Sequence, residues 1–96
     1  MAMPSMQNRS WQISPDALFQ EIGGEAVILD LSSSTYFGLD PVGVRVWQLL
    51  QEGHDEQSIC QTMVTEYEVD PERLAKDVNA FLVQIQAAGL LRVAGQ

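Results

Sequence analysis

The chain is short of basic residues, of cysteine and of histidine. Its 96 residues include 5 Lys and Arg against 13 Asp and Glu, a formal net charge of −8. Nucleic-acid binding depends mainly on phosphate neutralisation by Lys and Arg, so this balance argues against it. The five cations, Arg9, Arg45, Arg73, Lys76 and Arg92, form no run. The single cysteine, Cys60, excludes an intrachain disulfide and offers no zinc-ligand spacing. Residues 1–10 lack the charged start and apolar core of a signal peptide. No apolar run approaches the roughly 20 residues of a membrane span. The expectation is a cytoplasmic protein with neither a nucleic-acid nor a membrane partner.

Catalytic groups are equally scarce. His54, the only histidine, lies in a Gly-His-Asp turn between two helices. A nucleophile–base pair with Cys60 would need an accident of helix placement, so His54 reads as a loop histidine. Cys60 follows Ile59 and reads as a small residue near an apolar side. Asp55, Glu56, Asp70 and Glu72 fall in first helical turns, where carboxylates suit the positive end of the helix dipole. Gly23-Gly24 precedes a strand rather than a helix, so it is no phosphate cradle. The expectation is a non-enzymatic protein with no cofactor and no metal site.

Apolar residues make up 46% of the chain, enough for one small domain with a modest core. Residues 1–12 read as a flexible arm, 13–93 as a single domain and 94–96 as a tail. Ala17 to Ile22 alternates weakly, and Gly23-Gly24 signals a tight hairpin. Glu25 to Leu31 is a second strand, with Val27, Leu29 and Leu31 on one face and Ala26, Ile28 and Asp30 on the other. Ser32-Ser33-Ser34 turns the chain into a third strand, Thr35 to Leu39. Short turns favour an antiparallel meander whose first and third strands are edges.

Three helices are expected next, over Pro41–Glu52, Asp55–Tyr67 and Pro71–Ala88. Asp40 suits an N-cap, and Pro41 suits the first turn. Val42, Val46, Leu49 and Leu50 share a face. Gly43 is a poor helix former, which a close approach by another backbone would explain. Leu74, Val78, Phe81, Leu82, Ile85 and Ala88 form the stripe of the last helix, and Leu90 and Leu91 are expected to tuck back. The order places sheet before helices in an α+β arrangement.

Two features bear on function. Tyr36 and Phe37 can be read as a core residue and its exposed neighbour, or as part of an edge that accepts a partner strand. Gly38 would leave room for that strand. On the last helix, Arg73, Asp77 and Gln84 lie along one flank beside Phe81. Arg73 and Asp77 can be a solvated ion pair at i, i+4, or they can line a groove.

Leu29-Asp30-Leu31, the run Tyr36-Phe37-Gly38-Leu39-Asp40-Pro41-Val42-Gly43, Trp47-Gln48-Leu49-Leu50, and Val69-Asp70-Pro71 with Asp77-Val78, Phe81-Leu82 and Gly89-Leu90-Leu91 together resemble the PqqD-like family. These are RiPP recognition elements, which bind the leader of a ribosomally made precursor peptide. The resemblance spans Ala17 to Leu91. It implies a winged-helix-like fold, an N-terminal three-stranded antiparallel sheet followed by a three-helix bundle. It implies that the leader adds as a strand to Thr35, Tyr36, Phe37, Gly38 and Leu39, beside Arg73, Asp77, Ala80, Phe81 and Gln84. The Tyr-Phe-Gly-Leu-Asp-Pro-Val-Gly stretch is similar to the free-standing elements of lasso-peptide clusters, whose partner is a transglutaminase-like leader peptidase or another maturation enzyme. Two alternatives stay open. One is a PqqD-type chaperone for a radical-SAM enzyme, as in pyrroloquinoline quinone biosynthesis. The other is a winged-helix nucleic-acid-binding or dimerisation module.

Overall fold

Local signals set most element boundaries in the structure, a computed structural model that describes residues 11–93. The elements run β1 (Trp11–Ile13), β2 (Ala17–Ile22), β3 (Glu25–Asp30), β4 (Thr35–Leu39), α1 (Pro41–Gln51), α2 (Glu56–Glu66), α3 (Pro71–Ala87) and β5 (Leu91–Val93). Gly23 and Gly24 both take positive φ, 60° and 83°, as a two-residue type I′ hairpin turn requires. That turn pairs Ile22 with Glu25, and the antiparallel sheet runs in the order β2-β3-β4.

Each helix opens on an aspartate whose carboxylate accepts a first-turn N–H: Asp40 from Gly43, Asp55 from Ser58 and Asp70 from Glu72. The expected last residues Glu52, Tyr67 and Ala88 are C-caps rather than helical residues. After α1, Gly53 has φ 94°, its N–H donates to Leu50 O, and His54 N–H donates to Leu49 O. After α3, Gly89 has φ 81°, its N–H donates to Gln86 O, and Leu90 N–H donates to Ile85 O. Both are Schellman closures. The second drives Leu90 into the core and leaves Ala88 exposed, so Ala88 does not extend the buried stripe as expected.

The core is formed by Val46, Trp47 and Leu49 of α1, Ile59 and Met63 of α2, and Val78, Leu82 and Ile85 of α3, with Leu90 and Leu91 folded back onto it. Ile28 is the only residue of the three-stranded sheet that is fully buried. Phe19 and Phe37 flank it across the strands and pack partly buried against the same core. The opposite face carries the exposed Leu18, Ile22 and Tyr36.

The sequence reading contains three strands, and the structure adds two. β1 and β5 form an antiparallel pair, with Gln12 opposite Arg92. Trp11 and Gln12, assigned to the arm from the sequence, therefore belong to a strand. The pairing partner lies at the other end of the chain, so no local pattern marks either strand. The rest of the expected arm, residues 1–10, and the expected tail, 94–96, lie outside the described residues.

The β3–β4 turn holds one testable charge. Asp30 accepts from the Ser32 hydroxyl at 2.9 Å, the Ser33 hydroxyl at 2.9 Å and the Ser32 N–H at 3.1 Å. The Ser32 hydroxyl, followed by that of Ser33, holds the Asp30 carboxyl below its ordinary value of 3.8. A depressed folded pKa contributes stability above the unfolded pKa, and that stability is lost as pH falls through the folded value. Asp30→Ala should therefore lower the urea midpoint at neutral pH. The gap to the parent should close as pH falls below 3.8. A gap that widens on acidification would contradict this account of the turn.

Candidate functional site

The hairpin fixes which backbone groups of β4 are free. A two-residue turn makes Ile22 and Glu25 a hydrogen-bonded pair, and bonding alternates along the ladder. Leu31 N–H donates to Asp16 O at 3.0 Å, which continues the same parity. Glu25, Val27 and Leu29 therefore turn their backbone groups to β2, and Ala26, Ile28 and Asp30 turn theirs to β4. Their partners are Leu39, Phe37 and Thr35. Tyr36 and Gly38 consequently present N–H and C=O to the outer edge, where no strand among the described residues pairs with β4. The segment is thus an edge of the sheet among the described residues, and its two aromatics divide as the packing reading expects. Phe37 turns inward, whereas Tyr36 is 73% exposed. A Cβ at Gly38 would meet nothing within 4 Å, so the outer face of the sheet is open above this residue.

Phe81 joins this edge to α3. Its ring meets Phe37 edge-on, with centroids 6.2 Å apart and planes at 71°. The same ring closes onto the first turn of α1. A Cβ at Gly43 would lie 3.2 Å from Phe81 Cε1 and 3.4 Å from Leu39 Cδ2. The close approach that Gly43 signals is thus made by a side chain, not by another backbone as expected. Around this contact lies a cavity of about 350 Å³. Asp77, Ala80, Phe81 and Gln84 line it from α3, and Asp40, Val42 and Gly43 from the start of α1.

The structure therefore brings four of the expected site residues, Asp77, Ala80, Phe81 and Gln84, to one cavity beside the end of β4. Arg73 is not among them. It lines a separate depression on α3 with Lys76, Glu72 and Asp77. It makes no ion pair with Asp77, and neither Arg73 nor Lys76 has a partner among the described residues. Asp40, Val42 and Gly43 went unassigned from the sequence, although Gly43 in a first turn was their signal.

The remaining reactive groups are occupied elsewhere. His54 Nδ1 lies 2.7 Å from Ser58 Oγ, and Nε2 lies 3.5 Å from Glu52 Oε1, which ties the loop to the start of α2. Cys60 is half-buried, and desolvation followed by the charge of Glu56 raises its thiol pKa, which disfavours the thiolate. Arg45 makes a two-point contact with Glu66 at 2.9 and 2.6 Å. Among the described residues, no three His, Cys, Asp or Glu side chains are placed to hold a metal ion, and no helix is long and apolar enough to cross a membrane.

With this geometry in place, three comparisons bear on the chain. The pattern of the family described as coenzyme PQQ synthesis protein D (PqqD) matches residues 25–91. A solved structure of TbiB1 in complex with the TbiA(beta) leader peptide is 36% identical, with a TM-score of 0.76 over 88% of this chain and 96% of that one. A solved lasso peptide synthetase B1 complexed with the leader peptide is 23% identical, with a TM-score of 0.77 over 85% of this chain and 96% of that one, a likeness of fold. No curated protein sequence matches the chain.

Proposed function

This chain belongs to the PqqD family, and we propose that it binds the leader region of a ribosomally made precursor peptide and delivers it to a processing enzyme. The observation that carries this reading is the β4 edge, unpaired among the described residues, standing next to the Phe81 cavity. An extended peptide laid along β4 satisfies the N–H and C=O groups of Tyr36 and Gly38. Its alternate side chains then point toward Phe37, Asp77, Ala80, Phe81 and Gln84. A related structure at 36% identity holds a leader peptide, which supports the same class of ligand here. Arg73 stands further along α3 and is read as a rim contact.

The domain that does this is read as winged-helix-like, because a three-stranded meander packs on three helices. We read it as the single domain expected over residues 13–93, to which the β1 strand adds Trp11 and Gln12. We assign it no chemistry of its own and place it in the cytoplasm, where precursor peptides are made. The favoured recipient is a transglutaminase-like leader peptidase of a lasso-peptide pathway, on the resemblance of Tyr36 to Gly43 to the free-standing elements of such clusters. A nucleic-acid partner is disfavoured by the net charge of −8.

The test is a titration of the folded protein with the synthetic leader encoded by the precursor gene that neighbours its own. A dissociation constant in the micromolar range or tighter is expected. Absence of binding there, with the fold verified by circular dichroism, would overturn the reading.

A further inference from the structure

The cavity beside Phe81 is lined by two carboxylates and by no cation. They come from different elements, Asp40 from the cap of α1 and Asp77 from the middle of α3. Asp40 uses Oδ1 to accept the Gly43 N–H at 2.8 Å, and its Oδ2 has no partner among the described residues. Asp77 has none either. Val42 and the Phe81 ring supply apolar surface between them, and Gln84 adds an amide.

A helix start usually favours an anion, but this one has few donors left to offer. Pro41 has no N–H, Gly43 gives its own to Asp40 Oδ1, and Val44 gives its own to Asp40 O. Among the described residues, only Val42 keeps a first-turn N–H without a partner, in a cavity lined by two carboxylates. An incoming carboxylate would be repelled. An apolar side chain alone would bury two carboxylates without a partner, which is costly.

We propose that this cavity is a specificity pocket for one basic side chain, lysine or arginine, of the bound leader. The proposal rests on the leader-binding reading above. The aliphatic stem of such a residue lies along Val42 and Phe81, as long cationic side chains do on apolar surface. Its charged head meets Asp40 Oδ2, Asp77 and the Gln84 carbonyl, and the ring face of Phe81 adds to the attraction. The net charge of −8 draws a basic leader in at longer range.

The experiment uses the synthetic leader named above, as the parent and as a set in which each Lys or Arg is replaced singly by norleucine and by Glu. Norleucine keeps the stem and removes the charge. The protein is used as the full chain and as Asp40→Asn with Asp77→Asn, because asparagine preserves the α1 cap. One leader position is expected to lose about tenfold in affinity with norleucine and more with Glu, the scale of one charge-assisted hydrogen bond. In the double variant that position becomes indifferent to norleucine. Asp77→Lys recovers binding of the Glu peptide at that position alone. Tighter parent binding by the double variant, a leader with no Lys or Arg, or losses that simply add at every position would each overturn the pocket while leaving leader binding intact. Failure of the parent leader to bind the unmodified protein would instead overturn the function itself.

Discussion

Replacing Gly38 with proline should abolish most leader binding while leaving the domain folded. The N–H of Gly38 points to the free edge of β4, so its loss breaks no bond within the sheet. The preceding residue, Phe37, is in a strand, which is the conformation a following proline favours. The leader, however, loses a donor and meets a ring where its own backbone should approach. One lost hydrogen bond plus a stranded carbonyl costs about 2–4 kcal/mol, or roughly 30- to 1000-fold in affinity. Gly38→Ala retains the N–H and places its Cβ in open space, so it should bind within a few-fold of the parent. Phe37→Pro is the informative contrast. Its N–H belongs to the β3 ladder, opposite Ile28, and its ring contacts Phe81, so this variant should lose the sheet itself. Calorimetric titration and thermal melts on the three variants separate the cases. Parent-like affinity in Gly38→Pro would move the leader off this edge.

Ile28→Ala should cost about 3 kcal/mol of stability, within the range of roughly 2–5 seen for large-to-small core changes. Ile28 is 0% exposed and is the one fully buried residue of the three-stranded sheet. Its neighbours across the strands, Phe19 and Phe37, are only partly buried and cannot close over the space without shifting the strands that carry them. Because β4 is attached through this point and through Phe37–Phe81, the variant should weaken leader binding as well as stability. Urea titration measures the first effect. Ile28→Val, expected to cost about 0.5–1.5 kcal/mol, provides the graded control. A loss below about 1 kcal/mol for the alanine variant would mean that the sheet is held by other contacts.

The parts legible in the sequence are those with short-range causes. Asp40-Pro41, Asp55 and Asp70-Pro71 mark helix starts because a carboxylate and a missing N–H act within one turn. Gly23-Gly24, Gly53 and Gly89 mark reversals because positive φ is cheap only there. The face of β3 that turns inward was not legible. Val27, Leu29 and Leu31 are at least as apolar as Ala26, Ile28 and Asp30, yet the structure buries the second set's Ile28 and leaves Leu31 exposed. Long-range packing of Ile28, Phe19 and Phe37 against the helical core decides it.

The candidate site divides along the same line. Spacing on one helix flank groups Asp77, Phe81 and Gln84, and Ala80 comes with the family resemblance. Arg73 falls on the same flank but more than a turn away from Phe81, outside the cavity. Asp40, Val42 and Gly43 join the site through a contact nearly forty positions distant in the chain, which periodicity does not encode. Gly43 carried the trace of it, an apparent flaw in a helix that makes sense once an aromatic ring occupies the place of a side chain.

The pairing of β1 with β5 has a consequence for how the domain can be built into larger proteins. Trp11 stands opposite Val93, so the first and last described residues lie side by side. A segment inserted with such adjacent ends can replace a surface loop of a host without stretching either polypeptide. The strand proposed to accept the leader belongs to the other sheet, so a host joined at these ends need not cover it. The architecture thus suits a portable cassette, one that an enzyme can carry within its own chain or meet as a separate molecule.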